Sequence, residues 1–298
     1  MQKKILAYIE KIPALSPTIA KIVSLTNNDS SSAADLVQVV KLDPTLTTKV
    51  LNLINSAYFG IQQKVTSINR AIILLGMNTI KNLALSAEVL SSFNPSHGAS
   101  FNVDKFWEHS LATAVACKLL SNDVIADPAK REEFFIAGLI HDIGKIFLIK
   151  HFPRDYFPIA KKTIEYERLI VKEKKFFSMD HAEIGALIAE KWALSPDLVK
   201  AIRYHHDKTG GNEKFPMVPV VYIANYHCKV NGYDDDVAAA VTAPLTDTDW
   251  KRLSMSAQKG LEILETLPVK VDEAKAFLQV RNVTEEETAK TMKANEDD

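Results

Sequence analysis

Apolar residues recur every three or four positions through most of the chain, which is the spacing of the buried face of an amphipathic helix. In the stretch 12–25, isoleucine, leucine and valine keep this spacing, and Pro13 and Pro17 lie near its start, where a helix tolerates proline. No segment of the sequence alternates apolar and polar residues convincingly enough to predict a strand. The pattern therefore predicts an all-α fold.

Capping residues and polar stretches mark the ends of the predicted helices. Residues that can accept a hydrogen bond from a first helical turn precede the apolar runs at Ser31 or Ser32, Asp43, Ser67, Asp180 (with Glu183) and Ser195. Loops are predicted at 27–32, 94–100, 122–131 and 207–215, with an acidic turn at 233–236 and a frayed tail at 284–298. Helices are predicted between them, including separate helices through residue 75 and over about 78–93, and others near 249–266 and 271–280.

The turn-forming cluster at 94–100 is the clearest break in the chain and suggests how it is organised. We expect three regions: an N-terminal helical lobe at 1–95, a second helical lobe at 100–230, and C-terminal helices with an acidic tail at 231–298. No internal repeat of fixed period is visible.

Composition places the chain among ordinary globular proteins. Hydrophobic residues make up 47% of 298 positions, and the formal net charge of −1 provides no general attraction to nucleic acid or anionic lipid. A short basic run at 172–175 is typical of a solvated helix face. Cys117 and Cys228 are predicted to be reduced core thiols, and no apolar run approaches the roughly 20 residues of a membrane-spanning helix. We expect a cytoplasmic protein without a nucleic-acid or membrane partner.

The segment 138–145 contains the most informative polar residues of the chain. His141 and Asp142 are adjacent within an apolar run that is predicted to be one helix, and Lys145 follows one turn later, so all three can address one side of that helix. Burying these groups is unfavourable unless they are paired or bound to a metal. The alternative is an aspartate at a helix end beside a hydrogen-bonded core histidine.

Five of the eight histidines belong to, or end, apolar helices: His109, His141, His181, His205 and His206. Separate helices of a bundle can direct such side chains to one inward point, and with a bridging Asp142 they would suffice for two metal ions. Other roles remain open for single residues. His109 can be a packed surface residue, His181 a first-turn residue, and the pair 205–206 a helix C-cap.

Several motifs occur in an order that resembles a known family. They are Ile12-Pro13-Ala14-Leu15-Ser16-Pro17, Asp43-Pro44, Asn55-Ser56-Ala57-Tyr58-Phe59-Gly60, Ser67-Ile68, Phe106-Trp107-Glu108-His109-Ser110, 138–145, Asp180-His181-Ala182-Glu183-Ile184-Gly185 and the helix containing Trp192. Over about residues 5–230 the chain resembles the HDOD (HD-related output domain) proteins of the HD superfamily of metal-dependent phosphohydrolases. The resemblance implies an all-α HDOD domain, in which an N-terminal helical lobe packs against an HD-like helical core.

The resemblance also implies roles for single residues. By similarity to the related HD-GYP phosphodiesterases, one metal would take His109, His141 and Asp142, and a second would share Asp142 and take the ligands His181, His205 and His206. Lys145 would contact a substrate phosphate, which makes Asp142 and Lys145 the catalytic candidates. Asn225 stands where the superfamily has its closing aspartate and would supply a weaker, uncharged ligand. The segment 207–212 lacks the HD-GYP signature, so cyclic dinucleotide hydrolysis is not supported.

Two functions follow as expectations. The first is a regulatory module of bacterial signal transduction that binds one or two divalent ions, iron, manganese or zinc, and contacts signalling proteins. The alternative is a metal-dependent phosphohydrolase that acts on a phosphoester ligand, either a nucleotide or a cyclic nucleotide.

Overall fold

The fold is helical throughout the part of the chain that the structure describes. The computed structural model describes residues 1–28, 30–92, 101–161, 166–207, 216–235 and 244–280. These residues form seventeen α-helices and one 3₁₀ helix, and no strand occurs among them. The predicted all-α fold is confirmed.

The helices are numbered here in chain order. The first five are α1 (Gln2–Glu10), α2 (Pro17–Thr26), α3 (Ala33–Lys41), α4 (Pro44–Ile54) and α5 (Ile68–Ser92), with the 3₁₀ helix Ala57–Phe59 between the last two. The next eight are α6 (Val103–Val124), α7 (Pro128–Ile140), α8 (Ile143–His151), α9 (Pro153–Lys161), α10 (Tyr166–Phe177), α11 (His181–Lys191), α12 (Pro196–Tyr204) and α13 (Met217–Val230). The last four are α14 (Asp247–Lys251), α15 (Ala257–Leu264), α16 (Leu267–Glu273) and α17 (Ala276–Gln279).

The predicted caps begin helices in the structure. Ser32 and Asp180 each form a reciprocal capping box with the third helical residue, and Asp43 and Ser195 accept hydrogen bonds from the first turns of α4 and α12. Ser67 accepts a hydrogen bond from the backbone N–H of Arg70 at the start of α5. These interactions satisfy donors that an isolated helix end leaves unpaired, which is why they are readable from sequence.

Helix α5 contains the interruption that the sequence predicted. Gly76 has φ 81° and ψ 162°, so two helical segments meet there rather than one regular helix. A positive φ of this size favours glycine. Among the described residues, α5 is the one helix that is long and apolar enough to cross a membrane. The sequence analysis did not predict a helix of this length. Of the most apolar 18-residue window of α5, 61% is buried inside the protein. Such burial is typical of a helix in a protein core.

The largest correction concerns His141 and Asp142. They do not lie inside a helix, because α7 ends at Ile140 and α8 begins at Ile143, and the two residues form the turn between them. In a continuous helix neighbouring side chains point about 100° apart, whereas a turn lets both face one point. Apolar periodicity continues on both sides of the turn, so the pattern alone does not reveal the break.

Smaller differences concern loop and helix ends. The predicted loop 122–131 is shorter, since only residues 125–127 separate α6 from α7. The predicted helix 249–266 is interrupted between α14 and α15, where Ser254 has φ 54°. Helix α1 was not predicted. The predicted features at 94–100, 208–215, 236–243 and 284–298 lie outside the described residues.

The chain divides into two compact units, each built from two separated stretches. One comprises Met1–Ala14 and Pro95–Pro268, and the other comprises Leu15–Asn94 and Val269–Asp298. The expected regions 1–95, 100–230 and 231–298 are contiguous in sequence, and the units differ from them at both chain ends. Residues 1–14 and the stretch up to 268 belong to the unit that carries every candidate site residue.

Close helix packing positions the candidate residues within that unit. Helix α6 packs against α7 and α13, and α11 packs against α8 and α12. A methyl group on Gly138 would lie 2.6 Å from the Cα of Ala114 in α6, and one on Gly144 would lie 1.9 Å from the carbonyl oxygen of His181. Only glycine allows these approaches, which bring the turn at 141–142 against α6 and against the start of α11.

Candidate metal centre

Four parts of the chain deliver six side chains to one buried point. His109 lies in α6, His141 and Asp142 form the turn between α7 and α8, His181 is the first residue of α11, and the pair 205–206 ends α12. Five of the six side chains are fully buried, and His206 is partly exposed. His109 is therefore not a surface residue, which rules out that alternative.

The six residues form two groups that share Asp142, and in each group the possible ligand atoms lie within 4.8 Å of one another. We name them by the carboxylate oxygen that their histidines approach. The Oδ2 group is His109, His141 and Asp142; the Oδ1 group is Asp142, His181, His205 and His206.

Four of the histidines are held in the same tautomer. The Nδ1 atoms of His109, His141 and His205 lie 2.7, 2.7 and 2.6 Å from the carbonyl oxygens of Tyr233, Gly138 and Ile202. The Nδ1 of His181 lies 2.7 Å from Oε2 of Glu173. Carbonyl and carboxylate oxygens only accept hydrogen bonds, so each Nδ1 must carry the hydrogen and each neutral ring keeps its lone pair on Nε2.

Two of these bonds have a local cause. His141 and His205 each donate to the carbonyl three residues earlier, at the C-terminal ends of α7 and α12. Helix ends leave such carbonyls without an intrahelical partner, and a histidine just past the last turn can satisfy one. The predicted C-cap role of His205 is thus compatible with a site role, because capping through Nδ1 directs Nε2 away from the helix.

The Nε2 atoms of these four histidines surround the carboxylate of Asp142. Those of His109 and His141 lie 3.7 and 3.2 Å from Oδ2, and those of His181 and His205 lie 3.2 and 3.3 Å from Oδ1. His206 completes the set, with its Nε2 2.7 Å from that of His181. Lone pairs that face a carboxylate at these distances repel it unless protons or a metal cation lie between them.

Burial keeps most of these rings neutral. It lowers the pKa of His109 to about 3 and the pKa of His205 to about 4, and it lowers the pKa of His206 well below its usual value. Neutral imidazole is the form that binds metal ions.

His181 differs because a second carboxylate supports it. Burial opposes its charged form, but Glu173 and Asp142 together raise the pKa of His181 to about 9. Oε2 of Glu173 also accepts the backbone N–H of His181, and Oε1 accepts the hydroxyl of Tyr156. A buried carboxylate that orients a histidine in this way is a common outer partner in metal sites.

Lys145 lies beneath the Oδ2 side of the site. It is fully buried, and its Nζ lies 2.7 Å from Oδ2 of Asp142 and 2.7 Å from Oδ2 of Asp235. Burial disfavours the ammonium, but the two carboxylates raise the pKa of Lys145 above its usual value. Burial also opposes the charged carboxylates, but His141 and Lys145 hold the pKa of Asp142 well below its usual range. Lys145 and Lys229 likewise hold the pKa of Asp235 well below its usual range. Contact with a substrate phosphate stays a prediction.

Asn225 lies on the buried side of α13. Its predicted role as a ligand likewise stays a prediction.

Sequence reasoning missed Glu173 and Asp235. Glu173 lies between lysines in the run that was interpreted as a solvated helix face, yet it is fully buried. Asp235 lies in the predicted acidic turn, ten residues beyond Asn225. A lone acid within the basic run was the signal for Glu173. For Asp235 the signal was an acidic cluster close to the position where the superfamily has an aspartate.

The donor set fits a divalent metal ion. Oδ1 of Asp142 and Nε2 of His205 are buried and have no hydrogen-bond partner among the described residues. Imidazole nitrogens with one carboxylate suit iron, manganese or zinc. The Oδ1 group offers four such donors, and the Oδ2 group offers three.

An all-α core in which a His, a His-Asp pair and three later histidines meet at one buried carboxylate defines an HD-type domain. The model of the HDOD domain family matches residues 12–208, and this chain belongs to the HDOD family. The family that the sequence resembles is thereby confirmed.

Similarity to known proteins covers most of the chain. An uncharacterized protein of Treponema pallidum (strain Nichols) is 27% identical over 224 residues, which is 73% of this chain but 42% of that protein. A proposed signal transduction protein of Marinobacter aquaeolei VT8 has a TM-score of 0.74 at 20% identity, covering 92% of this chain and 60% of that one. A proposed metal-dependent phosphohydrolase of Shewanella amazonensis SB2B has a TM-score of 0.63 at 17% identity, covering 93% and 98%. At these identities the solved structures share the fold.

Proposed function

We propose that this chain is a regulatory module of bacterial signal transduction that binds divalent metal and acts by contacting signalling proteins. The observation that carries the metal claim is the set of Nε2 lone pairs that surround Asp142, with each Nδ1 of four rings already committed to an oxygen acceptor. Membership of the HDOD family and the fold shared with the Marinobacter protein support a role in signalling.

The metal would be held by Asp142 and the surrounding histidines, His109 and His141 on one side and His181, His205 and His206 on the other. Asn225 is a further candidate ligand. We propose iron, manganese or zinc as the ion, because borderline metals prefer imidazole. His109 and His205, which are neutral and have their Nδ1 hydrogens fixed, require no rearrangement before they bind.

Three features favour regulation over hydrolysis. The ammonium of Lys145 is buried between two carboxylates rather than directed to a ligand, and five of the six site side chains are fully buried. The segment 207–212 also lacks the signature of the HD-GYP phosphodiesterases. A cytoplasmic location, without nucleic-acid or membrane partners, is part of the same proposal.

The second candidate is a metal-dependent phosphohydrolase that acts on a nucleotide or a cyclic nucleotide. The nearly complete ligand set and the fold shared with the Shewanella protein favour it. A bound ion would supply Lewis acidity and an activated water. Asp142 would hold the ion, and Lys145 would neutralise phosphate charge, for which its ammonium must leave at least one of its two carboxylates.

Turnover of a phosphoester panel separates the two candidates. Untagged protein, purified without chelator and analysed for metal, would be incubated with nucleotides and cyclic nucleotides beside Asp142→Ala. We expect bound metal and no turnover above that variant. Turnover that disappears in Asp142→Ala would establish the second candidate instead, and protein that stays metal-free after exposure to manganese and zinc would contradict the metal claim. Asp249→Ala, which removes a buried carboxylate outside the site, controls for unfolding.

A further inference from the structure

The two sides of Asp142 differ in what already satisfies them. Oδ2 accepts a hydrogen bond from the ammonium of Lys145 at 2.7 Å, whereas Oδ1 has no hydrogen-bond partner among the described residues. On the same side as Oδ1, Nε2 of His205 also has no hydrogen-bond partner among the described residues. The carboxylate itself is therefore hydrogen-bonded to an ammonium at Oδ2 and not at Oδ1.

Asp235 holds Lys145 in place. Its Oδ2 accepts a second hydrogen bond from the same Nζ at 2.7 Å, and all three side chains are fully buried. A second buried lysine, Lys229, lies with its Nζ 4.0 Å from Oδ1 of Asp235. Asp142 and Asp235 on this side of the site thus each lie within 4.0 Å of a lysine ammonium.

An ion bound to Oδ2 would share that oxygen with an ammonium. Two cations on one carboxylate oxygen repel strongly in a water-free interior, because little solvent screens them. The groups that lie against Oδ1 are the imidazoles of His181 and His205, which are themselves possible metal ligands, rather than an ammonium. The Oδ1 side also offers four possible donors, Asp142, His181, His205 and His206, against three on the other side.

We propose that Lys145, positioned by Asp235, takes the place of a second cation beside Asp142. The site then binds one divalent ion in the Oδ1 group and not two ions bridged by the carboxylate. Lys145 and Asp235 are positioning residues in this arrangement, and His109 and His141 line the site without binding the ion. The inference rests on the metal binding proposed above and makes it specific in number and place.

The first test counts ions in the wild-type chain. Metal-free protein without a tag would be titrated with Mn²⁺, followed by elemental analysis and by electron paramagnetic resonance. We expect one ion per chain with the spectrum of an isolated Mn²⁺. Two ions with a magnetically coupled spectrum would overturn this inference and leave the proposed metal binding intact. A chain that binds neither Mn²⁺ nor Zn²⁺ would remove the proposed metal binding itself, and this inference with it.

A matched pair of histidines tests the location. His109 and His205 are both fully buried, and both donate Nδ1–H to a backbone carbonyl. We expect His205→Ala to raise the Kd for Mn²⁺ at least about tenfold and His109→Ala to change it far less, since only His205 is a ligand. Equal losses in the two variants would overturn the assignment to the Oδ1 group.

A matched pair of lysines tests the cause. Lys145→Met removes the ammonium from Asp142, whereas Lys229→Met removes a buried ammonium that contacts only Asp235 among these carboxylates. We expect Lys145→Met to take up a second ion and Lys229→Met to stay at one. A folded Lys145→Met protein with a single ion would overturn the role of Lys145. If that variant does not fold, the wild-type count and the histidine pair still decide the inference.

Discussion

The Oδ2 group and the Oδ1 group of the candidate metal centre contain the same kinds of residue but differ in what surrounds the carboxylate oxygen. In the Oδ2 group, a buried lysine already satisfies the carboxylate oxygen, and a second carboxylate holds that lysine. In the Oδ1 group, the carboxylate oxygen and one imidazole nitrogen have no hydrogen bond among the described residues, and Glu173 supports a third donor. The Oδ1 group has three histidines and the Oδ2 group has two, but the larger difference is in the charge and hydrogen bonding around each carboxylate oxygen.

The difference teaches that side chains of the same ligand type can lie in different electrostatic surroundings within one site. His109 and His141 are as buried as His181 and His205, and their rings are fixed in the same tautomer. What separates the pairs is the ammonium on their side of Asp142. Four predictions test the comparison, from the largest expected effect to the smallest.

Gly144→Ala should break the Oδ1 group by moving α11. The added methyl group would lie 1.9 Å from the carbonyl oxygen of His181 and 2.9 Å from the backbone nitrogen of Gly185. The clash is with backbone atoms, so it can be relieved only by moving α11 as a whole away from α8. We therefore expect the free energy of unfolding to fall by about 3 kcal/mol. Urea unfolding measures it. Gly60→Ala, with φ 59° and open space around the new methyl, should cost only about 1 kcal/mol. Equal costs would contradict the prediction.

Asp142→Asn should weaken metal binding whichever group holds the ion, because both share this carboxylate. We expect the Kd for Mn²⁺ to rise at least about 100-fold, which is about 2.7 kcal/mol. Titration calorimetry measures the change. Asp249→Asn is the control, since Asp249 is a buried carboxylate that caps α14. An unchanged Kd in Asp142→Asn would place any bound ion elsewhere.

Glu173→Gln should weaken only the Oδ1 group. The amide oxygen can still accept from Nδ1 of His181 but brings no charge, so the ring becomes a poorer ligand. At pH 9, where protons compete little with the ion for His181, we expect the Kd for Mn²⁺ to rise about 30-fold, within the range typical of such outer partners. Tyr156→Phe removes only the hydroxyl bond to Oε1 of Glu173 and should have a smaller effect. No effect of Glu173→Gln would mean that His181 is not a ligand.

The number of protons released on metal binding should show whether the Oδ1 group or the Oδ2 group holds the ion. The pKa of His181 is raised to about 9 by Glu173 and Asp142, so without metal the ring is protonated at pH 7 and must lose that proton to bind. Affinity in the Oδ1 group should therefore rise about tenfold per pH unit from pH 7 towards 9 and then level off. His109, with a pKa of about 3, is already neutral at pH 7. Binding heats in buffers of different ionisation enthalpy measure the protons released. Affinity independent of pH in this range would favour the Oδ2 group.

Much of the fold was predictable because its determinants are local. Ser32, Asp43 and Asp180 cap helices through atoms three residues away, and apolar spacing along one helix needs no knowledge of its partner. The turn at 141–142 was not predictable in this way. It depends on the approach of Gly144 to the carbonyl of His181, a residue of another helix.

The candidate site, like the fold, could be predicted from the sequence only in part. Its ligand-type residues could be proposed from their positions in apolar helices, and the structure brings six of them together. Glu173 and Asp235 were missed, because the weak signals near them in sequence, a lone acid in a basic run and an acidic cluster, do not show that either side chain is buried. Their importance comes from His181 and Lys145, which lie 8 and 90 residues away.

By itself the sequence determined the helical class of this protein, where most of its helices begin, its membership of the HDOD family and which side chains deserve consideration as ligands. Those properties follow from periodicity, capping and residue type, all of which act over a few neighbouring residues. Only the tertiary structure decided that Lys145 faces Oδ2 of Asp142 and that Oδ1 has no hydrogen-bond partner among the described residues. Electrostatic balance at a buried point depends on every charge within a few ångströms, and helix packing, not sequence order, determines which charges those are.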